Sequence, residues 1–169
     1  MWTVRVGSTT GTCKMRLTDF LSPECIKASL SASDKEGVIK EMVALLRSAG
    51  KLSDHDLMLR AALGRESTRT TGIGNGLAIP HGKCAAVDQL VMAVGKTSSP
   101  IDFDSVDGKP VTVVIFLASP PDRTGPHIQA LARISRLMSD QKFRRALEEA
   151  DSPEGICGLI ASYEATLEG

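Results

Sequence analysis

TGIGNGLAIPHG, residues Thr71 to Gly82, packs Gly72, Gly74 and Gly76 into five residues, then runs through Leu77-Ala78-Ile79 to Pro80-His81-Gly82. Glycines let backbone amides come close to a ligand, because no Cβ stands in the way. Proline stiffens the chain just before the histidine, and Gly82 leaves room just after it. The stretch therefore presents one imidazole at the end of a short apolar run, as a reactive side chain requires.

The segments on either side alternate between helix and strand patterns. Upstream, Leu17-Thr18-Asp19-Phe20-Leu21 reads as one helical turn ended by Ser22-Pro23, and Cys25 to Leu30 as a short strand. Ser33 and Glu36 have the spacing of a capping box. Val38, Ile39, Met42, Val43, Leu45, Leu46 and Ala49 then recur at helical spacing before Gly50. Ser53 is placed to cap a second helix, with Leu57, Met58, Ala61 and Ala62 inward and its pattern ending near Arg65-Glu66.

Downstream, Leu90 to Val94 and Val111 to Leu117 are β-branched apolar runs of buried-strand length. Ser98-Ser99-Pro100 and the run from Asp104 to Pro110 read as turns, and Ala118 to Pro126 as a loop with three prolines. A helix is expected near Pro126, with Ile128, Leu131, Ile134, Leu137 and Met138 on its apolar face. Asp140 should cap a shorter helix, and Ser152-Pro153 should start the last one. Strands interspersed with helices predict an α/β single-domain sandwich, a mixed sheet flanked by helices. Residues 1–14 are either an edge strand or a frayed tail, and 15–169 form the domain.

Composition narrows the function. The chain has 169 residues, with Lys+Arg and Asp+Glu balanced at 20 each, so bulk charge gives no support for nucleic-acid binding. No apolar run is long enough to enter a bilayer as a span, and no signal-peptide pattern opens the chain, so a cytoplasmic location is expected. Cys13, Cys25, Cys84 and Cys157 are scattered and are expected to be free thiols. His55, His81 and His127 lack metal-ligand spacing, so no metal site is expected. The glycines are spaced G-x-G-x-G, with a helix before them and a strand after, the reverse of a dinucleotide-binding turn. No G-K-[ST] or G-x-S-x-G occurs to support a P-loop or a serine hydrolase.

TGIGNGLAIPHG resembles the active-site signature of the fructose/mannitol-type enzyme IIA domains of the bacterial phosphoenolpyruvate-dependent phosphotransferase system, a group that includes the stand-alone nitrogen-regulatory enzyme IIA proteins. The resemblance runs from about Leu17 to Leu147. It implies a mixed sheet of about five strands, and it implies that His81 carries a phosphoryl group on Nε2. His127-Ile128-Gln129-Ala130-Leu131-Ala132-Arg133-Ile134-Ser135 matches the family's H-x-x-x-L-A-x-I-S, which implies that His127 orients His81 or hydrogen-bonds the phosphoryl group. Arg65-Glu66 matches an Arg-Glu pair ahead of the glycines, which implies that Arg65 stabilises phosphate charge. Arg69-Thr70-Thr71 stands where the family more often has Gly-Ser-Thr, so Arg69 either substitutes for, competes with or assists Arg65 in that role.

The chemistry agrees with the resemblance. A neutral imidazole is a nucleophile near pH 7, and its phosphoramidate passes the phosphoryl group on readily. A guanidinium binds phosphate oxygens through two parallel bonds. A histidine at a helix start is expected to be neutral. Thr71, Gly72, Gly74, Asn75 and Gly76 are expected to support the phosphate as a loop, although Asn also suits left-handed backbone for structural reasons alone.

No metal or organic cofactor is implied for the transfer step. The implied donor is the phosphohistidine carrier HPr or its nitrogen-branch relative. The implied acceptor is a IIB domain or a regulated target protein. With no transporter segment in the chain, a nitrogen-regulatory type is expected. A sugar-specific subunit feeding a permease, or a binding-only regulatory module, is the alternative. Arg133, Arg136, Lys142, Arg144 and Arg145 read either as a solvated helical face or as a docking surface for an acidic partner.

Overall fold

A computed structural model describes residues 16–167. The expected edge strand or tail at residues 1–14 lies outside the described residues. Helices and strands are interspersed as the sequence predicts: β1 (Ile26–Leu30), α1 (Lys35–Ser48), α2 (His55–Thr68), β2 (Gly72–Gly74), β3 (Leu77–Ala78), β4 (His81–Lys83), β5 (Val91–Ile101), β6 (Val111–Ser119), α3 (Thr124–Met138), α4 (Gln141–Glu149) and α5 (Pro153–Leu167). The glycine-rich stretch and its flank hold three short strands, β2 to β4, in place of a loop and one strand. Short 3-10 turns at Leu17–Asp19 and Pro23–Cys25 precede β1.

The sheet is mixed and six-stranded, in the order β1-β5-β6-β3-β2, with β4 also paired to β6. β3 and β4 lie one after the other along the same edge of β6, both parallel to it. Ile79 and Pro80 bridge them, and the Pro80 carbonyl accepts from Leu117 N at 3.1 Å. The proline removes an N–H where the edge is interrupted.

Helices cover both faces, and period-two alternation along β5 says which residue meets which layer. Met92 and Val94 point at Ile134, Leu137, Phe143 and Ile160 of the α3–α5 layer. Gly95 faces the other way: a Cβ there would stand 2.8 Å from Leu30 Cδ1 and 2.9 Å from Met42 Sδ of α1.

The structure moves several boundaries. Asp34, not Ser33, caps α1, accepting from Gly37 N at 2.6 Å. Asp54, not Ser53, caps α2, accepting from Leu57 N, while Ser53 is tied to the Ala86 carbonyl. A carboxylate accepts from the first-turn amides more strongly than a hydroxyl, and it also favours the positive helix end. α2 continues two residues past Glu66, to Thr68. Ser98-Ser99-Pro100 is not a turn but part of β5, where the pairing with β6 shifts register. β6 extends through Ser119, and α3 begins at Thr124, two residues before Pro126. Asp140 and Ser152 act at the helix starts as expected.

Arg133 donates to buried Glu164 at 2.7 Å, and Arg144 donates to the Met138 carbonyl at 2.6 Å. Two members of the basic run are therefore engaged within the fold. Glu164 also accepts from Leu17 N and Thr18 N, which fastens the first described turn to α5. The described cysteines Cys25, Cys84 and Cys157 are free. No described helix is long and apolar enough to cross a membrane.

Candidate functional site

The glycine run is a tight hairpin. β2 and β3 pair antiparallel, and Asn75 (φ 56°) and Gly76 (φ 75°) form the two-residue turn between them. Two successive positive φ values are the signature of the turn that matches strand twist, which explains the Asn-Gly pair. Three amides of the run already have side-chain acceptors. Thr71 N donates to Glu66 Oε1 at 3.0 Å, Gly72 N to Thr70 Oγ1 at 3.0 Å and Asn75 N to Asp107 Oδ2 at 3.1 Å. Gly72 and Gly74 are glycines because Ser105 and Asp107 press against them. Gly72, Gly74, Asn75 and Gly76 build this hairpin, and of their amides Gly72 N and Asn75 N already have side-chain acceptors. Of the loop-support residues, Thr71 alone lines a cleft that His81 reaches.

His81 opens β4, paired with Leu117 of β6. Gly82 is not beside empty space, as the sequence reading had it. A Cβ on Gly82 would lie 2.8 Å from Met58 Sδ, 3.2 Å from Ala62 N and 3.3 Å from Ala61 Cβ. The glycine thus lets α2 pack against β4, and this approach carries Ala61 and Arg65, one turn apart, to the wall beside His81. Strand alternation puts His81 and Lys83 on the face opposite Gly82.

β6 ends at Ser119, and the chain returns through Pro120-Pro121 into α3, which delivers His127 in its first turns. The two imidazoles, 46 positions apart in sequence, meet edge to face with centroids 5.0 Å apart and planes at 63°. A cleft of about 500 Å³ is lined by Ala61, Arg65, His81, Lys83, His127 and Leu131. An adjoining cleft of about 250 Å³ has Arg65, Arg69, Thr71, Ile73, His81 and Val106 in its wall. Arg65 lines both and Arg69 only the second, while Arg65 Nη1 donates to the Arg69 carbonyl at 3.0 Å.

Hydrogen bonding sets the state of the His81 ring. His81 Nδ1 lies 2.9 Å from the Ile79 carbonyl. A carbonyl only accepts, so Nδ1 carries the proton and the Nε2 lone pair is free. Burial lowers the His81 pKa below the ordinary 6.5, with Arg65 and Lys83 pushing the same way and the Ile79 carbonyl opposing. The ring is half-buried and reaches the cleft.

His127 is 3% exposed, and burial first, then His81, Lys83 and Arg65, hold its pKa down to about 4. It is neutral, as expected, but desolvation is the main cause where the helix dipole had been invoked. Its Nδ1 is 2.6 Å from Ser119 Oγ, which is fully buried.

Sequence reasoning missed Lys83, Ser119 and the partners of Glu66. Lys83 was accessible through the period-two rule, lying two residues beyond His81. Ser119 carried a weaker signal, a polar residue ending a buried apolar strand. Among the described residues, no group of three His, Cys, Asp or Glu side chains is gathered as metal ligands would be.

The B. subtilis (strain 168) fructose-specific EIIABC component of the phosphotransferase system is 38% identical over 150 residues, covering 89% of this chain and 24% of that protein. The chain thus spans about a quarter of that relative's length. The nitrogen regulatory protein of Bradyrhizobium diazoefficiens is 34% identical over 154 residues, covering 90% of this chain and 99% of that protein. The crystal structure of nitrogen regulatory protein IIA-Ntr from Neisseria meningitidis superposes with a TM-score of 0.78 at 30% identity, covering 85% of this chain and 98% of that one. IIA mannitol from Escherichia coli shares the fold with a TM-score of 0.71 at 22% identity, over 83% and 98% of the two chains. Residues 19–163 match the family described as "Phosphoenolpyruvate-dependent sugar phosphotransferase system, EIIA 2", and the chain belongs to that family.

Proposed function

We propose that this protein is a phosphohistidine relay component that accepts a phosphoryl group on His81 Nε2 from an HPr-like carrier and returns it or passes it on. The observation that carries the proposal is the His81 ring itself: its proton is held at Nδ1 by the Ile79 carbonyl, and its other edge is free toward a cleft lined by cations. In the transfer step, the His81 Nε2 lone pair forms a bond to phosphorus. The bond from phosphorus to the donor imidazole breaks, and the donor takes back its electron pair. The Nδ1 proton stays in place, its positive character stabilised by the Ile79 carbonyl dipole.

Charge on the equatorial oxygens has to be met by positioned groups. Arg65 is assigned this role because it lines both clefts, and Lys83 supplies a second positive charge on the same strand face as His81. His127 orients the phosphoryl group. We assign the Ser119 hydroxyl, 2.6 Å from His127 Nδ1, as the donor of the bond between them, which leaves the ring proton on Nε2 to donate to a phosphoryl oxygen. A neutral donor suits this position, since a cation packed against His81 would oppose ionisation of the ring during transfer.

The nitrogen-regulatory role is the preferred biological reading, supported by similarity across nearly the full length of nitrogen regulatory proteins. A sugar-specific role, with transfer to a IIB domain, is favoured by the 38% identity to a fructose-specific relative. Nearly two added negative charges in the cleft would switch a docking surface in either case. Incubation with phosphoenolpyruvate, enzyme I and HPr, followed by mass spectrometry, should find one phosphate, on His81, and none in His81→Ala. Labelling elsewhere, or unchanged labelling of the variant, overturns the assignment. Pull-downs with both phosphorylation states separate the roles: recovery of only a permease component defeats the regulatory one.

A further inference from the structure

We infer that Glu66 is a positioning residue that sets the tautomer of His81 from a distance, through Thr71 and Ile79; the inference rests on His81 being the phosphoryl acceptor. Glu66 lies in the last turns of α2, one residue past Arg65, and its carboxylate points inward rather than to the cleft. It grips Thr71 twice: Thr71 N donates to Oε1 at 3.0 Å and Thr71 Oγ1 to Oε2 at 2.5 Å. Lys35, the first residue of α1, closes the other side, with Nζ 2.8 Å from Oε1. Glu66 and Thr71 are both buried, so solvent competes little with these bonds.

The chain of contacts continues from Thr71 to the nucleophile. The Thr71 carbonyl accepts from Ile79 N at 3.0 Å, and the Ile79 carbonyl accepts from His81 Nδ1 at 2.9 Å. Ile79 is thus held on its amide side by a residue that Glu66 fixes, while its carbonyl fixes the imidazole proton. This peptide sits at the break between β3 and β4, where Pro80 supplies no N–H to hold the edge. The grip of Glu66 substitutes for that missing sheet bond. Without it, the Ile79 carbonyl loses its fixed aim, and His81 relaxes toward the mixture of an unconstrained imidazole, part of it protonated on Nε2 and unable to attack. Partners one step removed from a reacting group act in this way in metal sites, through tautomer and orientation.

The test compares wild type, Glu66→Ala, Glu66→Gln and Thr71→Val. Long-range ¹H–¹⁵N NMR of the imidazole rings reads the tautomer, and uptake from phosphorylated HPr reads the rate. Wild-type His81 should be the Nδ1–H form. Glu66→Ala should show a mixed tautomer at His81 only, and uptake slower by roughly ten- to a hundredfold, the scale of an ångström-level misplacement. Glu66→Gln keeps an acceptor for Thr71 N–H and should restore most of both. Thr71→Val, which keeps the residue's shape, should show a smaller shift in the same direction and serves if Glu66→Ala does not fold. A folded Glu66→Ala or Thr71→Val with the wild-type His81 tautomer overturns the inference, even if uptake falls. If wild type takes up no phosphate, the relay reading fails, while the tautomer comparison still decides whether Glu66 controls the ring.

Discussion

Replacing Gly82 by alanine perturbs the contact that brings the arginine wall to His81. The added methyl would stand 2.8 Å from Met58 Sδ, 3.2 Å from Ala62 N and 3.3 Å from Ala61 Cβ. Met58 is fully buried but flexible, and its thioether can swing. The amide of Ala62 is helix backbone, so α2 itself has to retreat by a few tenths of an ångström. Overpacking of this kind costs about 1–3 kcal/mol. Alanine also restricts the unfolded chain, which offsets about 0.4–1 kcal/mol. The net expectation is a loss of about 1–2 kcal/mol, read from urea unfolding midpoints at constant slope. Gly64 in the same helix provides the control: a Cβ there meets nothing within 4 Å, so Gly64→Ala should instead stabilise by about 0.5–1 kcal/mol. Because the retreat carries Arg65 with it, phosphoryl uptake by Gly82→Ala should also slow, while Gly64→Ala stays near wild type. Equal stability changes for the two variants, or a Gly82→Ala protein as stable as wild type, would refute the packing argument.

The remaining predictions concern protons, the hairpin and the choice of arginine. His127 has a folded pKa of about 4 against an ordinary 6.5, so the unfolded chain binds more protons between those values. Its effect is therefore a loss of stability as pH falls from 6.5 to 4, of at most about 3 kcal/mol, and His127→Gln should flatten urea midpoints across that window; an unchanged pH slope would argue against a buried neutral ring. Gly76→Ala should destabilise by about 1–2 kcal/mol, since φ is +75° and Thr112 Oγ1 lies 3.1 Å from the new Cβ, and its uptake rate should stay close to wild type if the hairpin is structural, whereas a large rate loss in a folded protein would return the glycines to the phosphate site. Arg65→Ala should slow uptake more than Arg69→Ala, since Arg65 alone lines the cleft shared by both histidines; the opposite ranking would reassign the phosphate-binding arginine.

The order of elements was legible because it depends on near-neighbour patterns. Val38 to Leu46 and Leu131 to Met138 repeat at helical spacing, although Ile128, expected on the same apolar face, is exposed, and Val111 to Leu117 is too short and too β-branched for anything but a strand. His81 and the start of α3 were legible from local motifs as well. What sequence concealed has one physical root: a residue type that serves two ends. Glycine with positive φ serves a hairpin turn as well as a ligand cradle, so Gly74-Asn75-Gly76 reads as a phosphate loop in sequence while the structure shows it turning a hairpin. Gly82 read as open space because glycine permits either a void or a close neighbour, and only the position of α2 decides which. Ser119 and the contacts of Glu66 join segments through tertiary register, which no local period encodes. Pro100 read as a turn because proline lacks a ladder donor, yet β5 tolerates it where the pairing with β6 has slipped.

Register also explains why Gly82 bears on chemistry as well as packing. β4 is only three residues long, and a one-residue slip against β6 would turn His81 toward α2 and Gly82 toward the cleft. That slip is forbidden by the space on the α2 side: a Cβ at the facing position already meets a backbone nitrogen at 3.2 Å, so an imidazole cannot enter. The close approach of α2 therefore excludes the register in which His81 would leave the cleft. The observed register places Lys83 opposite Ser119, and hence one cation of the cleft beside the residue that holds His127. Gly82 thus selects the arrangement of the whole site from a position where its own side chain touches no substrate.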